Sequence, residues 1–298
     1  MSPYAYPPPA PYPPPEPPPP PNAGHLHDGE VIGDFAAVGA LASIDILIRQ
    51  DVHNGSFGTL LVVGGVAGGA GAGWLLTEKY PVDAGSAHAT TLGLLAGTAN
   101  AALLLEPTAS YDAADVIGIL FLGSAIGAGG GFAYGQAADL TPGQATFIGE
   151  AVLLGSATAA LGAIAGSRDG SFGNWENGTL AVGLDAGLVA GALIAPSLNW
   201  SARRSKTVLA ATAIGALVGG ALPGLVTKRD ANEDYNGDLI AGFMTAGLWG
   251  GFALGILTTG NSPPDPKYSA PAKTTTATSV APWVGPTGQM GVMAGGVW

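Results

Sequence analysis

The sequence predicts an all-α fold in which about eight Gly/Ala-rich helices form a membrane-embedded bundle of repeated hairpins. Three observations support this prediction. Several apolar stretches carry no charged residue over about 20 residues, the length at which a helix crosses the hydrocarbon core of a bilayer. Apolar and polar residues do not alternate in these stretches as they do in strands. Glycines recur at every fourth position, which places them on one face of a helix.

The individual helices follow from the apolar stretches and from the polar residues between them. We predict helices over 29–49, 57–77, 87–105, 112–137, 142–166, 177–196, 204–227 and 237–260. Asn-Gly pairs at 54–55, 177–178 and 236–237 each precede an apolar stretch. Several of these pairs, like the Ser/Thr-rich starts of other helices, recur at intervals of about 58 residues. This period predicts degenerate repeats of a helix hairpin.

Composition divides the chain into three parts. Residues 1–28 are predicted to be a disordered proline-rich spacer, because 13 of the 24 prolines lie within 1–22 and such segments adopt extended polyproline II. Residues 29–260 form the predicted helical membrane domain. Residues 261–298 form a Pro/Thr-rich tail, in which two short apolar runs flank a Gly-Pro turn at 285–286. This pattern predicts a short extended segment or a terminal β-hairpin.

The composition also excludes several classes of function. The 298 residues include no cysteine, four histidines, and ten Lys and Arg against 21 Asp and Glu. The absence of cysteine excludes thiol catalysis, disulfides and thiolate metal sites. The low number of cations argues against nucleic-acid binding. Since the sequence also lacks a phosphate loop, a dinucleotide motif and a nucleophile elbow, we predict that the protein is not an enzyme and has no cofactor.

The glycine spacing is the most informative feature of the sequence. A glycine inside a helix costs about 1 kcal/mol relative to alanine, so repeated glycines need a compensating interaction. Close approach of two helix backbones provides one. We predict a helix-packing role for the following glycines: Gly65, Gly69, Gly73, Gly123, Gly127, Gly131, Gly135, Gly183, Gly187, Gly191, Gly247, Gly251 and Gly255. The odd-numbered helices supply small residues to face them: Gly93, Gly97, Ala101, Ala151, Gly155, Ala159, Ala163, Ala211, Gly215 and Gly219.

We call these rows of glycines at four-residue spacing the glycine stripes. Because of them, residues 57–260 resemble glycine-zipper helical membrane proteins. The resemblance is to a class of motif and not to a particular family. It implies tight helix pairs in lipid and no chemical reaction.

Four carboxylates inside predicted apolar helices are candidates for a functional role: Asp34, Asp45, Glu150 and Asp185. Asp45 has Arg49 four residues later, the spacing of an ion pair within one helix. Glu150 and Asp185 have no cation nearby in the sequence, so each could carry protons or bind a cation within the membrane. Alternatively, they are hydrogen-bonded packing residues near helix ends.

Two segments have some features of metal sites, and we reject both. His25 and His27 lie in the linker that follows the proline-rich run. Residues 232–239 imitate an EF-hand loop, but the first position is Asn232 and Phe243 stands where the bidentate glutamate belongs. We therefore predict no metal site.

Together these observations predict a non-enzymatic structural or scaffold protein of a bacterial-type cell envelope. Its predicted partners are the lipid bilayer and further copies of itself, joined through the glycine stripes. One alternative is a channel or transporter that uses Glu150 and Asp185, and another is a soluble Ala/Gly-rich helical protein of the envelope.

Flanking cations divide almost equally between the two ends of the helices, so orientation and the choice of inner or outer membrane stay open. A secretory leader upstream of residue 1 also stays open.

Overall fold

A computed structural model of the protein describes residues 27–52, 54–105, 110–166, 174–226, 237–263, 265, 279–284 and 290–295. Within these ranges it contains eight α-helices, one turn of 3-10 helix (Ala195–Ser197) and two strands. The helices are α1 (Asp28–Arg49), α2 (Gly55–Lys79), α3 (Ala84–Leu103), α4 (Ala113–Ala138), α5 (Pro142–Gly166), α6 (Asn174–Ile194), α7 (Ala202–Val226) and α8 (Gly237–Thr258). The strands are β1 (Ser279–Val284) and β2 (Met290–Gly295).

The all-α prediction is confirmed, and the structure has a helix wherever the sequence predicts one. Four helices begin two or three residues before their predicted starts, and the polar residue preceding two of them, α2 and α3, explains why. Asn54 accepts hydrogen bonds from the backbone N–H groups of Ser56 and Phe57, and Asp83 accepts one from Ser86 at 2.6 Å. Both are N-caps, which satisfy backbone donors that the first helical turn leaves free.

The eight helices pack as four antiparallel hairpins, α1–α2, α3–α4, α5–α6 and α7–α8. Each helix makes its most extensive contacts with its hairpin partner, and contacts between hairpins are fewer. We call the end where odd-numbered helices begin the near end, and the opposite end the far end. Because the number of helices is even, the start of α1 and the end of α8 both lie at the near end.

Seven of the described helices are long and apolar enough to cross a membrane, all except α3. Their outward faces carry large apolar side chains, among them Ile126, Leu193 and Leu257, each more than 70% exposed. Exposure of this kind is unfavourable in water and favourable against lipid chains. The chain is an integral membrane protein.

Helix α3 differs from the other helices in composition and in position. It carries polar side chains along its length, including His88, Thr91, Thr98 and Asn100. It contacts α1, α5 and α6 in addition to its hairpin partner α4. The polar side chains of α3 can therefore be satisfied by neighbouring helices, which explains why this helix is tolerated in a membrane bundle despite its lower hydropathy.

The C-terminal strands form an antiparallel hairpin, in which Ser279 pairs with Gly295 and Val284 with Met290. The sequence predicted this hairpin around the turn at 285–286. Of the predicted spacer over 1–28, residues 1–26 lie outside the described part of the chain. Residues 232–236 of the rejected EF-hand segment also lie outside it. Most of the tail between 261 and 279 also lies outside them.

Candidate functional site

The predicted helix-packing glycines lie where the two helices of each hairpin come closest. At each of the thirteen positions, a Cβ atom added to the glycine would lie within 3.0 Å of an atom of the partner helix. On α2, α4, α6 and α8 these glycines face small residues or bare backbone of α1, α3, α5 and α7. Real Cβ atoms do not tolerate such distances, so only glycine permits this spacing of the backbones.

The α3–α4 hairpin illustrates the geometry. A Cβ atom on Gly127 would overlap the carbonyl oxygen of Gly93 and lie 3.0 Å from the Cα atom of Gly97. In return, a Cβ atom on Gly97 would lie 2.9 Å from the Cα atom of Gly127. The two backbones are therefore in direct contact, and neither helix leaves room for a side chain between them. Gly129 and Gly130, on the same helix, face open space.

Polar side chains make a second kind of contact, and these join different hairpins. The hydroxyl group of Thr91 on α3 lies 2.7 Å from a carboxyl oxygen of Asp34 and 3.1 Å from one of Glu30, both on α1. The ring of His88 lies 3.8 Å from the other carboxyl oxygen of Glu30. Asp34 thus lies at the boundary between the first and second hairpins, near the near end.

The far end of the same boundary is held by Arg49. Its guanidinium donates to both carboxyl oxygens of Asp45, at 2.9 and 3.1 Å, as the four-residue spacing predicted. It also donates to the backbone carbonyl of Ala114 at 3.2 Å and lies 3.7 Å from the carboxylate of Asp115, both on α4. A Cβ atom on Gly118 would lie 2.6 Å from the guanidinium, so Arg49 packs directly on the α4 backbone.

We expect Arg49→Gln to lower the midpoint of thermal unfolding in detergent, because it removes the link from α1 to α4 and leaves Asp45 without its cation. In Asp45→Asn the same Arg49→Gln substitution should have a smaller effect, so the two changes should not be additive. Circular dichroism of the four proteins of this double-mutant cycle measures both effects. Arg203→Gln, at an exposed cation, is the control and should leave the midpoint unchanged. Additive effects of the two substitutions would contradict a direct Asp45–Arg49 interaction.

The other two candidate carboxylates lie farther along the bundle. Asp185 is exposed at the middle of α6 and accepts a hydrogen bond of 2.6 Å from the side-chain amide of Asn100 on α3. Glu150 is buried on the side of α5 that faces α7 and α8, with 6% of its surface exposed. The hydroxyl of Ser205 and the guanidinium of Arg204 face the Glu150 carboxyl, but neither carboxyl oxygen has a hydrogen-bond partner of good geometry in the described part of the chain.

Next to Glu150, Trp200 joins the third and fourth hairpins at the near end. Its indole N–H donates to the hydroxyl of Ser205 at 2.6 Å, and its ring packs edge-on against Phe147, with 4.9 Å between ring centroids. The guanidinium of Arg204 lies 4.2 Å from the centre of the indole ring. Trp200 is 4% exposed and belongs to the larger buried apolar cluster of the protein.

Sequence reasoning missed most of the partners of the candidate carboxylates. Thr91 and Asn100 are separated from Asp34 and Asp185 by 57 and 85 residues, and no local pattern relates residues so far apart. The polar composition of α3 was the available signal, because a helix with many hydroxyl and amide groups in a membrane needs partners on other helices. Among the described residues, no group of three or more His, Asp or Glu side chains could hold a metal ion.

Comparisons with protein-family models, with curated proteins and with solved structures find no match to this chain.

Proposed function

We propose that this protein is a non-enzymatic structural or scaffold component of a bacterial-type cell-envelope membrane and that it acts as a rigid four-hairpin body. In this proposal glycine-zipper contacts close each hairpin, and polar contacts fix one hairpin to the next. The body then holds the proline-rich segment 1–28 and the tail 261–298 at the same membrane face. Lipid is its principal partner.

One observation carries this proposal. Three of the four candidate carboxylates form side-chain hydrogen bonds that connect one helix to another, either directly or through Arg49. Asp34 contacts Thr91 across the boundary between the first two hairpins, and Asp185 contacts Asn100 across the boundary between the second and third. Asp45 orients Arg49, which reaches α4. Interhelical hydrogen bonds of this kind stabilise helix association in membranes. Carboxylates used in this way suit a structural role.

The proposal requires both flanking segments to lie on one side of the membrane. The chain has no cysteine, so single-cysteine variants report one position each. We expect a membrane-impermeant maleimide to label Gly29→Cys and Asn261→Cys, both at exposed near-end positions, from the same side of sealed vesicles. Ser110→Cys, at the far end, should be labelled only from the opposite side. Labelling of Gly29→Cys and Asn261→Cys from opposite sides would contradict the arrangement.

Glu150 supports a second candidate function, that of a channel or transporter. Its carboxyl group is buried between hairpins and has no hydrogen-bond partner of good geometry among the described residues. An ionisable group in that position is a natural carrier of protons in membrane proteins.

A flux measurement separates the two candidates. In proteoliposomes that contain a pH-sensitive dye and carry a potassium diffusion potential, a structural protein should give the same proton uptake as protein-free liposomes. Proton uptake that is lost in both Glu150→Gln and Asp185→Asn would favour the transporter and contradict the structural proposal. Lys79→Gln, outside the candidate carboxylates, serves as the matched control for reconstitution.

A further inference from the structure

A groove between α4 and α6 is the basis of a further inference, which goes beyond the proposed structural role. The α4–α6 groove has a volume of about 630 Å³, with its floor formed by α3 and its walls by α4 and α6. Its lining includes Asn100, Leu122, Ile126, Tyr134 and Leu188. Leu122 and Ile126 are 57% and 73% exposed, so the groove opens sideways toward lipid. A molecule dissolved in the membrane can enter it without crossing the protein.

The two ends of the groove differ in polarity. All of the residues that line it are apolar or glycine except Asn100 and Tyr134. At one end the hydroxyl of Tyr134 donates to the backbone carbonyl of Ala192, so this group is already paired and closes the groove between α4 and α6. At the other end the amide of Asn100 donates to the carboxylate of Asp185 at 2.6 Å. The polar end of the groove is thus the end at which a carboxylate lies.

The charge of Asp185 is not balanced by the protein in the part of the chain described. The ion pairs of Asp45, Asp115 and Glu30 lie elsewhere in the bundle, and among the described residues Asp185 forms no ion pair. No Lys, Arg or His lines the groove. Asp185 is the twelfth residue of α6, which places it about 16 Å from the helix start, near the centre of a bilayer. A carboxylate at that depth is costly without a cation, and the attraction between opposite charges is strong where water is excluded.

We propose that the α4–α6 groove binds a lipophilic organic amine in its protonated form. The apolar part of the ligand lies against Ile126, Leu122 and Leu188, and its ammonium group forms an ion pair with Asp185 beside the Asn100 amide. Charge complementarity selects this class of ligand over an uncharged lipid chain, because a neutral occupant would leave the carboxylate without a cation.

The test uses the full-length protein in detergent and two fluorescent probes that differ in one group. The first is the mono-dansyl amide of 1,8-diaminooctane, which keeps one free amine, and the second is the dansyl amide of octylamine, which has none. We expect the amine probe to bind at least about tenfold more tightly than the uncharged probe, a difference of about 1.4 kcal/mol. In Asp185→Asn, which keeps the size of the side chain, the two probes should bind with equal affinity.

A second variant tests the groove without changing the charge. Ile126→Trp should fill the groove and weaken binding of the amine probe by about tenfold or more. Leu153→Trp places the same side chain at an exposed position of α5 outside the groove and should bind the probe as the wild-type protein does. Circular dichroism shows whether each variant is folded. Equal affinity of the wild-type protein for both probes would indicate a groove for uncharged lipid chains and would overturn the proposal, as would unchanged amine binding in Ile126→Trp.

Discussion

Replacement of Gly127 by leucine should destabilise the protein by about 3 kcal/mol, although leucine is a better helix former than glycine. The side chain has no space to occupy, because a Cβ atom at this position would overlap the Gly93 carbonyl oxygen and lie 2.8 Å from its carbon. The neighbouring contact, 3.0 Å from the Cα atom of Gly97, is also to backbone and cannot move by a change of rotamer. Helices α3 and α4 would therefore have to separate along their shared stripe. Thermal or denaturant unfolding in detergent, followed by circular dichroism, measures the effect.

Gly129 on the same helix provides the matched control. A Cβ atom there would meet nothing within 4 Å, so Gly129→Ala should be neutral or should stabilise the protein by up to about 1 kcal/mol through helix propensity alone. Gly127→Ala is the corresponding change inside the contact and should destabilise. The same substitution, two residues apart, is thus expected to have opposite signs. If Gly127→Leu is as stable as the wild-type protein, the glycine spacing does not reflect helix packing.

Trp200→Ala should destabilise the protein by about 3–5 kcal/mol, the cost of removing a large buried aromatic side chain. Trp200 is 4% exposed and fills the junction at which the third hairpin meets the fourth. Its loss removes the edge-on contact with Phe147, the cation–π contact with Arg204 and the hydrogen bond to Ser205. A cavity would remain, because the backbone of this segment is held against α5: a Cβ atom on Gly143 would lie 2.6 Å from the Cα atom of Ser201.

Trp175→Ala is the control for this prediction, since Trp175 is 56% exposed and lies in the first turn of α6. It should cost far less than Trp200→Ala. Unfolding in detergent, followed by circular dichroism to avoid dependence on tryptophan fluorescence, compares the two variants. Similar losses of stability in both would show that Trp200 does not hold the hairpins together.

The sequence was sufficient to predict the helices because membrane helices obey local rules. Apolar length determines whether a segment spans the bilayer, and polar residues at the ends determine where it begins. Helix α5 was predicted with both of its bounds, and α2 was displaced at its start by only two residues because the N-cap is Asn54. The glycine stripes were visible for the same reason, since a four-residue period is a local property.

The partners of the candidate carboxylates could not be predicted in this way. Asp45 and Arg49 are four residues apart, so their ion pair was visible in the sequence. Asn100 is 85 residues from Asp185, and the two meet only because α3 contacts α6. Trp200 lies in a connection without periodicity, and nothing near it in the sequence indicates that it is buried between two hairpins.

The sequence by itself determined the number of helices, their lengths, the membrane environment and the face of each even-numbered helix that carries glycine. These properties depend on residues a few positions apart and on transfer of side chains into lipid. Only the tertiary structure decided which hairpins touch, that Glu150 is enclosed while Asp185 is bonded to Asn100, and that a groove remains between α4 and α6. Each of these depends on how whole hairpins pack, and in lipid that packing is set by close backbone contact and a few polar bonds between helices distant in sequence.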